Sequence, residues 1–401
     1  MAQKEFKTGW RTLLACFIGV GISIPSLYVY TSGIWIVHWQ NEFGWSRGEI
    51  GIGQGLVYIV LVLGTPIIGV LIDRFGFKKM GVLSLFLYGG CFYLYSQMNG
   101  SLLVFYLLSV LIAFMALPST PIGFTKTINK WFVANRGLAL GITLSAIGLG
   151  AIIAPRFLTP YVATHGWREG QFILFLTVLI AAPLVGLLLR ETPKTIDTKQ
   201  EAATTGITLK EALRTAVFWK VGLIFFLLSA AMLGLIPGFI PMLLDEGLSA
   251  ENAGQLMAVL GVSVVFGRVF IGFLIDRFFA PYVAMIVFAL AVSGCLVLGI
   301  WQTQFVYWGA FTLGLAIGAE VDLVSYFAVK YFGIKYYGLI FGMLYSLLVC
   351  GAVVSPIWVG FSWDVTGNYN VAYITAAAIM FLTIFIFAYL PKFPKEAAQS
   401  A

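Results

Sequence analysis

Residues 69–79 read Gly69-Val70-Leu71-Ile72-Asp73-Arg74-Phe75-Gly76-Phe77-Lys78-Lys79, and about two hundred residues on Gly272-Phe273-Leu274-Ile275-Asp276-Arg277-Phe278 repeats the pattern. Each copy closes a long apolar segment with an acid, an arginine and an aromatic ring. A unit recurring at that spacing points to a duplicated chain whose two halves enclose a site between them.

The surroundings of these two turns are apolar throughout. Of the 401 residues, 60% are hydrophobic and only 10% charged, and the mean hydropathy is +0.95. One water-soluble globule cannot hide that much apolar surface, so lipid must solvate most of it. A bilayer core about 30 Å thick takes about 20 helical residues. Twelve segments meet that ruler: residues 10–37, 48–72, 79–98, 101–126, 137–162, 170–190, 217–244, 252–275, 282–302, 305–329, 337–361 and 370–391. The sequence therefore predicts an all-α polytopic membrane protein of twelve transmembrane helices in two six-helix halves, residues 1–190 and 217–401. They are joined by a polar cytoplasmic linker over 191–216, rich in Thr, Lys and Glu. The first apolar run is long enough to span and stay, with no short signal-like core or cleavage site before it, so the N-terminus is expected in the mature protein.

Cations set the expected orientation, because Lys and Arg accumulate in short cytoplasmic loops. With the N-terminus inside, twenty of the 24 Lys and Arg residues fall in internal segments. Arg47 and Arg168 fall outside, and Arg156 and Arg268 within spans. Both termini are thus expected in the cytoplasm, in a cell inner (plasma) membrane. The formal charge of +7 then reflects topology and anionic headgroups, with no clustering that would suit nucleic acid. Four cysteines lie in apolar runs without Cys-x-x-Cys spacing, far from the two histidines His38 and His165. They read as small buried hydrophobes, and no metal site is expected. No phosphate loop or nucleophile elbow is present; Gly21-Ile22-Ser23-Ile24-Pro25 lacks the closing glycine. The chain is therefore not expected to be an enzyme or to hold a cofactor. Transport would be driven by an ion or counter-solute gradient.

Twelve spans, a central loop and the Gly-x-x-x-Asp-Arg-x-Gly-x-Lys-Lys turn after span two resemble the major facilitator superfamily. Further stretches are similar to its branch of monocarboxylate transporters and the bacterial oxalate:formate exchanger. These are Gly9-Trp10, Asn135-Arg136-Gly137-Leu138-Ala139-Leu140-Gly141, Gly148, Pro155, Gly166-Trp167-Arg168 and Gly267-Arg268 followed by Gly272. The resemblance implies that Asp73, Arg74, Asp276 and Arg277 are gating residues, holding neighbouring helix ends by charge. It also implies that Arg268 pairs with a substrate carboxylate. Two departures matter. Pro25-Ser26 and Val264 stand where animal monocarboxylate transporters carry their lysine and aspartate, so their proton-coupling pair does not carry over. Span eleven holds no charge between Tyr337 and Phe361, where the oxalate exchanger has a lysine, and a single buried cation suits a monoanion.

Charges at mid-membrane are costly and therefore point to function. Arg268 lies eight residues before Asp276, about 12 Å above the inner turn at 1.5 Å per residue. Its planar fork matches a carboxylate. Glu320 and Asp322 fall at similar depth in the next-but-one span. Being two apart, they point about 200° from one another, so one is expected to face a cavity or pair while the other packs, with Gly314 and Gly318 admitting a close neighbouring helix. A substrate competing with a carboxylate for Arg268 would toggle a proton, which makes Glu320 and Asp322 the proton-coupling candidates. Arg156 should reach the outer interface. Uncharged polar residues from other spans could complete a substrate site: among Tyr28, Tyr30, Thr31, Ser32, Gln54, Tyr58, Ser119, Thr120, Tyr345 and Ser346, the choices for substrate binding are Tyr28, Thr31 and Tyr345.

The expected function is secondary active transport of a small organic monocarboxylate by proton-coupled symport and alternating access. An organic-anion exchanger, or a transport-dead sensor on the same fold, is the alternative. The expected partners are the anion, protons and the bilayer, with no nucleic acid and no required ancillary protein.

Overall fold

A computed structural model describes residues 2–132, 135–190, 206–275, 277–301, 303–333 and 335–394. The helices are α1 Ala2–Gly21, α2 Leu27–Phe43, α3 Arg47–Phe75, α4 Phe77–Ser96, α5 Leu102–Ala116, α6 Pro121–Trp131, α7 Arg136–His165 and α8 Trp167–Leu188. After residues 191–205, which lie outside the described residues, come α9 Leu209–Leu213, α10 Ala216–Met232, α11 Leu235–Asp245, α12 Ala250–Ile275, α13 Ala280–Trp301, α14 Val306–Phe332, α15 Tyr337–Thr366 and α16 Asn370–Ala388. No strand is present among the described residues beyond a single bridge between Gly206 and Gly333.

Ten of the passes are long and apolar enough to cross a bilayer by composition alone. The broken pair α1–α2 and the less apolar α4 complete twelve passes in two halves. Three passes expected as continuous are interrupted, each for a local reason. Between α1 and α2, Pro25 cannot continue the helix and Ser23 turns its hydroxyl onto Val20 O at 2.6 Å. Between α5 and α6, Pro118 and Pro121 leave only a 3₁₀ turn at Leu117–Ser119. Between α10 and α11, Pro237 offers no N–H to the Leu233 carbonyl. Across that break Ser355 of α15 accepts from Gly234 N–H at 2.6 Å and donates to Ala230 O at 2.7 Å. Breaks of this kind are tolerated at membrane depth only where other groups re-satisfy the backbone.

Side chains of α15 show how lipid and core are sorted. Leu339, Met343, Val354, Phe361 and Val365 are exposed at helical spacing, and Cys350 lies on that same stripe. Cys350 thus departs from the expected burial because helix phase places it toward lipid. Cys16, Cys91 and Cys295 are buried.

The first and last described segments lie at one end of the bundle, here the near end. There Glu5 accepts from Asn135 N–H, Trp131 donates to Arg190 O, Ile207 N–H to Phe332 O and Tyr331 to Pro391 O. At the opposite, far end the two halves touch backbone to backbone along three seams: α2 on α11, α3 on α15, and α7 on α12. Glycines set these approaches, since a Cβ on Gly33 would strike Pro237 O and one on Gly51 would strike Pro356 O. On α12, a Cβ at Gly254 would lie 2.7 Å from Pro155 O. Among the described residues no comparable seam joins α6 to α14 at the near end, so the bundle is shut at its far end and parted at its near end.

Candidate functional site

Arg268, Glu320 and Asp322 stand on α12 and α14, which cross closely because Gly314 and Gly318 let α14 lie against the backbone of Leu260 and Val264. That contact brings the arginine and the acids to the same depth. Asp322, whose side chain is 33% exposed, faces Arg268 with Oδ2 3.6 Å from Nε. Glu320 is 2% exposed, and its Oε1 has no hydrogen-bond partner. The two-residue spacing therefore resolves as pairing for Asp322 and burial for Glu320.

The Arg268–Asp322 contact is loose. A bidentate arginine–carboxylate pair sits near 2.8 Å, whereas here a single approach at 3.6 Å is made and Nε has no hydrogen bond. The guanidinium is held at its depth without its planar fork being clamped. Its charge acts on the hydroxyls of Tyr30 on α2 and Tyr345 on α15. Glu320 in turn acts on Tyr345 and on Tyr58 of α3. Both halves thus contribute to one set of groups within electrostatic reach of one another, a cation, two acids and three phenols.

The remaining expected site residues fall in different places. Tyr345 belongs to this set. Tyr28 lines a small enclosed cavity with Ser32, Trp39, Gln54, Tyr95 and Gln171. Thr31 is fully buried with its hydroxyl on Leu27 O at 2.7 Å, and the fold does not bring it to Arg268. Tyr30 and Tyr58 lie within reach of these charges as well; depth along a span does not rank them above Tyr28, because the rotation of each helix decides which ring faces which neighbour. Arg156 lies 3.6 Å from Glu251, at one end of an apolar surface groove of about 470 Å³ between α7, α12 and α14. Of the gating residues, Arg74 is exposed beside Phe75 and Arg277 is exposed with its guanidinium 3.5 Å from the Phe273 ring centroid. Neither pairs with a carboxylate among the described residues. The Asp73 side chain and Asp276 lie outside the described residues. The turn itself is well formed: Gly76 adopts φ +84°, where glycine is favoured, and its N–H closes onto Ile72 O at 3.0 Å.

The family model for the Major Facilitator Superfamily matches residues 13–356. The chain belongs to the major facilitator superfamily. It is 25% identical over 409 aligned residues to monocarboxylate transporter 11 of Homo sapiens, covering 96% of this chain and 83% of that protein. It is 22% identical to the sialic acid transporter NanX of Escherichia coli strain K12, with 75% of each chain covered. Among solved structures, a point mutant of the nucleoside transporter NupG superimposes with a TM-score of 0.76 at 14% identity, covering 96% of this chain and 99% of that one. A bacterial homologue of the human lysosomal transporter Spinster, in an inward-facing and occupied conformation, gives 0.72 at 15% identity, covering 98% and 97%. These likenesses establish the fold. The major facilitator chain described here is a multi-pass membrane transporter.

Proposed function

We propose that this transporter moves a small organic monocarboxylate together with a proton, by alternating access of its two halves. The observation that carries the reading is the Arg268 guanidinium, held at depth by one loose contact to Asp322 while its fork remains unclamped. An incoming carboxylate would take the fork bidentately and displace Asp322, and Tyr30 and Tyr345 would orient its second oxygen. Asp322, released from its cation, and the buried Glu320 would accept the proton that travels with the anion, since an uncompensated buried carboxylate is costly. A single cation in the cluster favours a monoanion over a dianion. The names of relatives that carry monocarboxylates and sialic acid agree with an acidic cargo. On the positive-inside rule the near end is cytoplasmic, in the plasma membrane, with both termini inside.

Uptake of labelled mono- and dicarboxylates into proteoliposomes, with and without an inward proton gradient, tests this. Gradient-driven uptake of a monoacid by the wild type, with apparent affinity falling at least about tenfold in Arg268→Lys as the bidentate fork is lost, is the expected result. Transport by Arg268→Lys with unchanged affinity removes the role of the fork. Uptake indifferent to the gradient and accelerated by internal anion makes the protein an exchanger.

A further inference from the structure

Among the described residues the far end carries one buried cation, Arg47 at the first position of α3, with 3% of its side chain exposed. It spans the two halves. Its Nη2 donates to Asp245 Oδ1 at 2.8 Å and its Nη1 lies 2.6 Å from Asp245 Oδ2, a close ion pair at the last residue of α11. Its Nε donates to Gln40 of α2 at 3.1 Å. The guanidinium lies 3.8 Å from the Trp363 ring centroid and 5.2 Å from that of Tyr369, both in the C-terminal half. The backbone joins in as well. Asp364, near the end of α15, accepts from the N–H groups of Arg47 at 2.8 Å and Gly48 at 2.7 Å. Those are first-turn donors that have no partner within their own helix. A helix N-terminus in one half is thus capped by a carboxylate from the other, where the helix dipole favours negative charge. The approach needs glycine on both sides: a Cβ on Gly360 would strike Arg47 O, and one on Gly48 would lie 2.7 Å from Asp364 Oδ2.

We propose that Arg47 is the latch of the external gate, a positioning residue that holds the far end shut and must release Asp245 and Asp364 each time the transporter opens outward. All of these contacts except Gln40 cross between the halves, so none survives separation of the seam. Each partner left behind is a charge or a backbone donor that water must re-solvate. Three charged groups and two aromatic faces concentrated at one residue make the closed state depend on that residue more than on any one apolar contact of the seam. The latch rests on the transport reading in requiring two alternating states and a cytoplasmic near end, and it is independent of the substrate.

Pulsed dipolar EPR tests it without substrate. Spin labels on Glu169→Cys and Asn252→Cys, both exposed and on opposite halves at the far end, are introduced in the full-length protein with the native cysteines replaced by serine. Arg47→Ala and Asp245→Ala are each expected to raise the ratio of long to short separations by at least about tenfold, the effect of removing one member of a buried, hydrogen-bonded charge pair. The exchange Arg47→Asp with Asp245→Arg should return the ratio toward wild type. In transport, the latch variants should change turnover while the concentration for half-maximal binding at the near end stays within a few-fold. A folded Arg47→Ala protein with the wild-type distance distribution overturns the latch. So does a shift in Arg47→Ala that Asp245→Ala does not share. Should Arg47→Ala not fold, Arg47→Lys, which keeps charge and loses the fork, is judged by the same two criteria. Because the distances are read without any acid present, this result stands or falls separately from uptake by the Arg268 variants.

Discussion

Gly261 and Gly272 lie on the same helix, α12, three turns apart, and replacement by alanine should shift the conformational balance at the first and leave it alone at the second. A Cβ at Gly261 would sit 2.9 Å from both the Ala151 carbonyl carbon and the Ile152 nitrogen of α7, against 3.4–4 Å for ordinary contact. Both are backbone atoms that cannot rotate aside, so the α7–α12 seam must open by about 0.5 Å or more, at the overpacking cost of about 1–3 kcal/mol. A Cβ at Gly272 meets nothing within 4 Å. Each alanine also gains up to about 1 kcal/mol of helix propensity, but that gain is common to both conformations and cancels in their ratio. Gly261→Ala should therefore shift the balance between closed and open far ends by about 1–3 kcal/mol, a factor of about 5–150. Gly272→Ala should leave the balance alone and raise thermal stability slightly. The label pair at Glu169 and Asn252 reads the first quantity and a melting curve the second. Identical distance distributions for the two variants would refute the claim that glycine backbone contact sets the seam.

Two further outcomes follow from polar contacts. Ser355→Ala leaves the Gly234 N–H without its buried partner and should destabilise the protein by about 1–3 kcal/mol, with faster amide exchange confined to the α10–α11 junction; an unchanged melt and exchange pattern would contradict it. Glu42 accepts from Trp167 Nε1 at 2.6 Å and pairs with Arg168, also at 2.6 Å, the side chains of Glu42 and Arg168 being 39% and 45% exposed. The exposed ion pair contributes under about 1 kcal/mol, so Glu42→Gln should retain most of the stability that Glu42→Ala loses. Equal melting temperatures for the two variants would mean that the charge pair matters more than the indole bond.

The repeated Asp-Arg-Phe turn, the number of passes and the depth of Arg268, Glu320 and Asp322 were legible in the sequence. Hydropathy and a rise of 1.5 Å per residue are properties of the chain itself. The breaks at residues 22–26 and 117–120 carried a proline signal, whereas that at Gly234 also depends on a hydroxyl 121 residues away. Arg47 was read as an ordinary loop cation, because its partners Asp245 and Asp364 are separated from it by 198 and 317 residues. No local pattern marks such a meeting.

By itself, then, the sequence determined a twelve-pass helical membrane protein with one deep arginine and two acids at its level, since the solvent and the helix dictate both. The tertiary structure alone decided that Asp322 pairs while Glu320 is buried, that Tyr30 and Tyr58 join Tyr345 while Thr31 does not, and that the far end is shut around Arg47. Those outcomes depend on the rotation of each helix about its axis and on contact between the halves, which spacing along one chain does not specify.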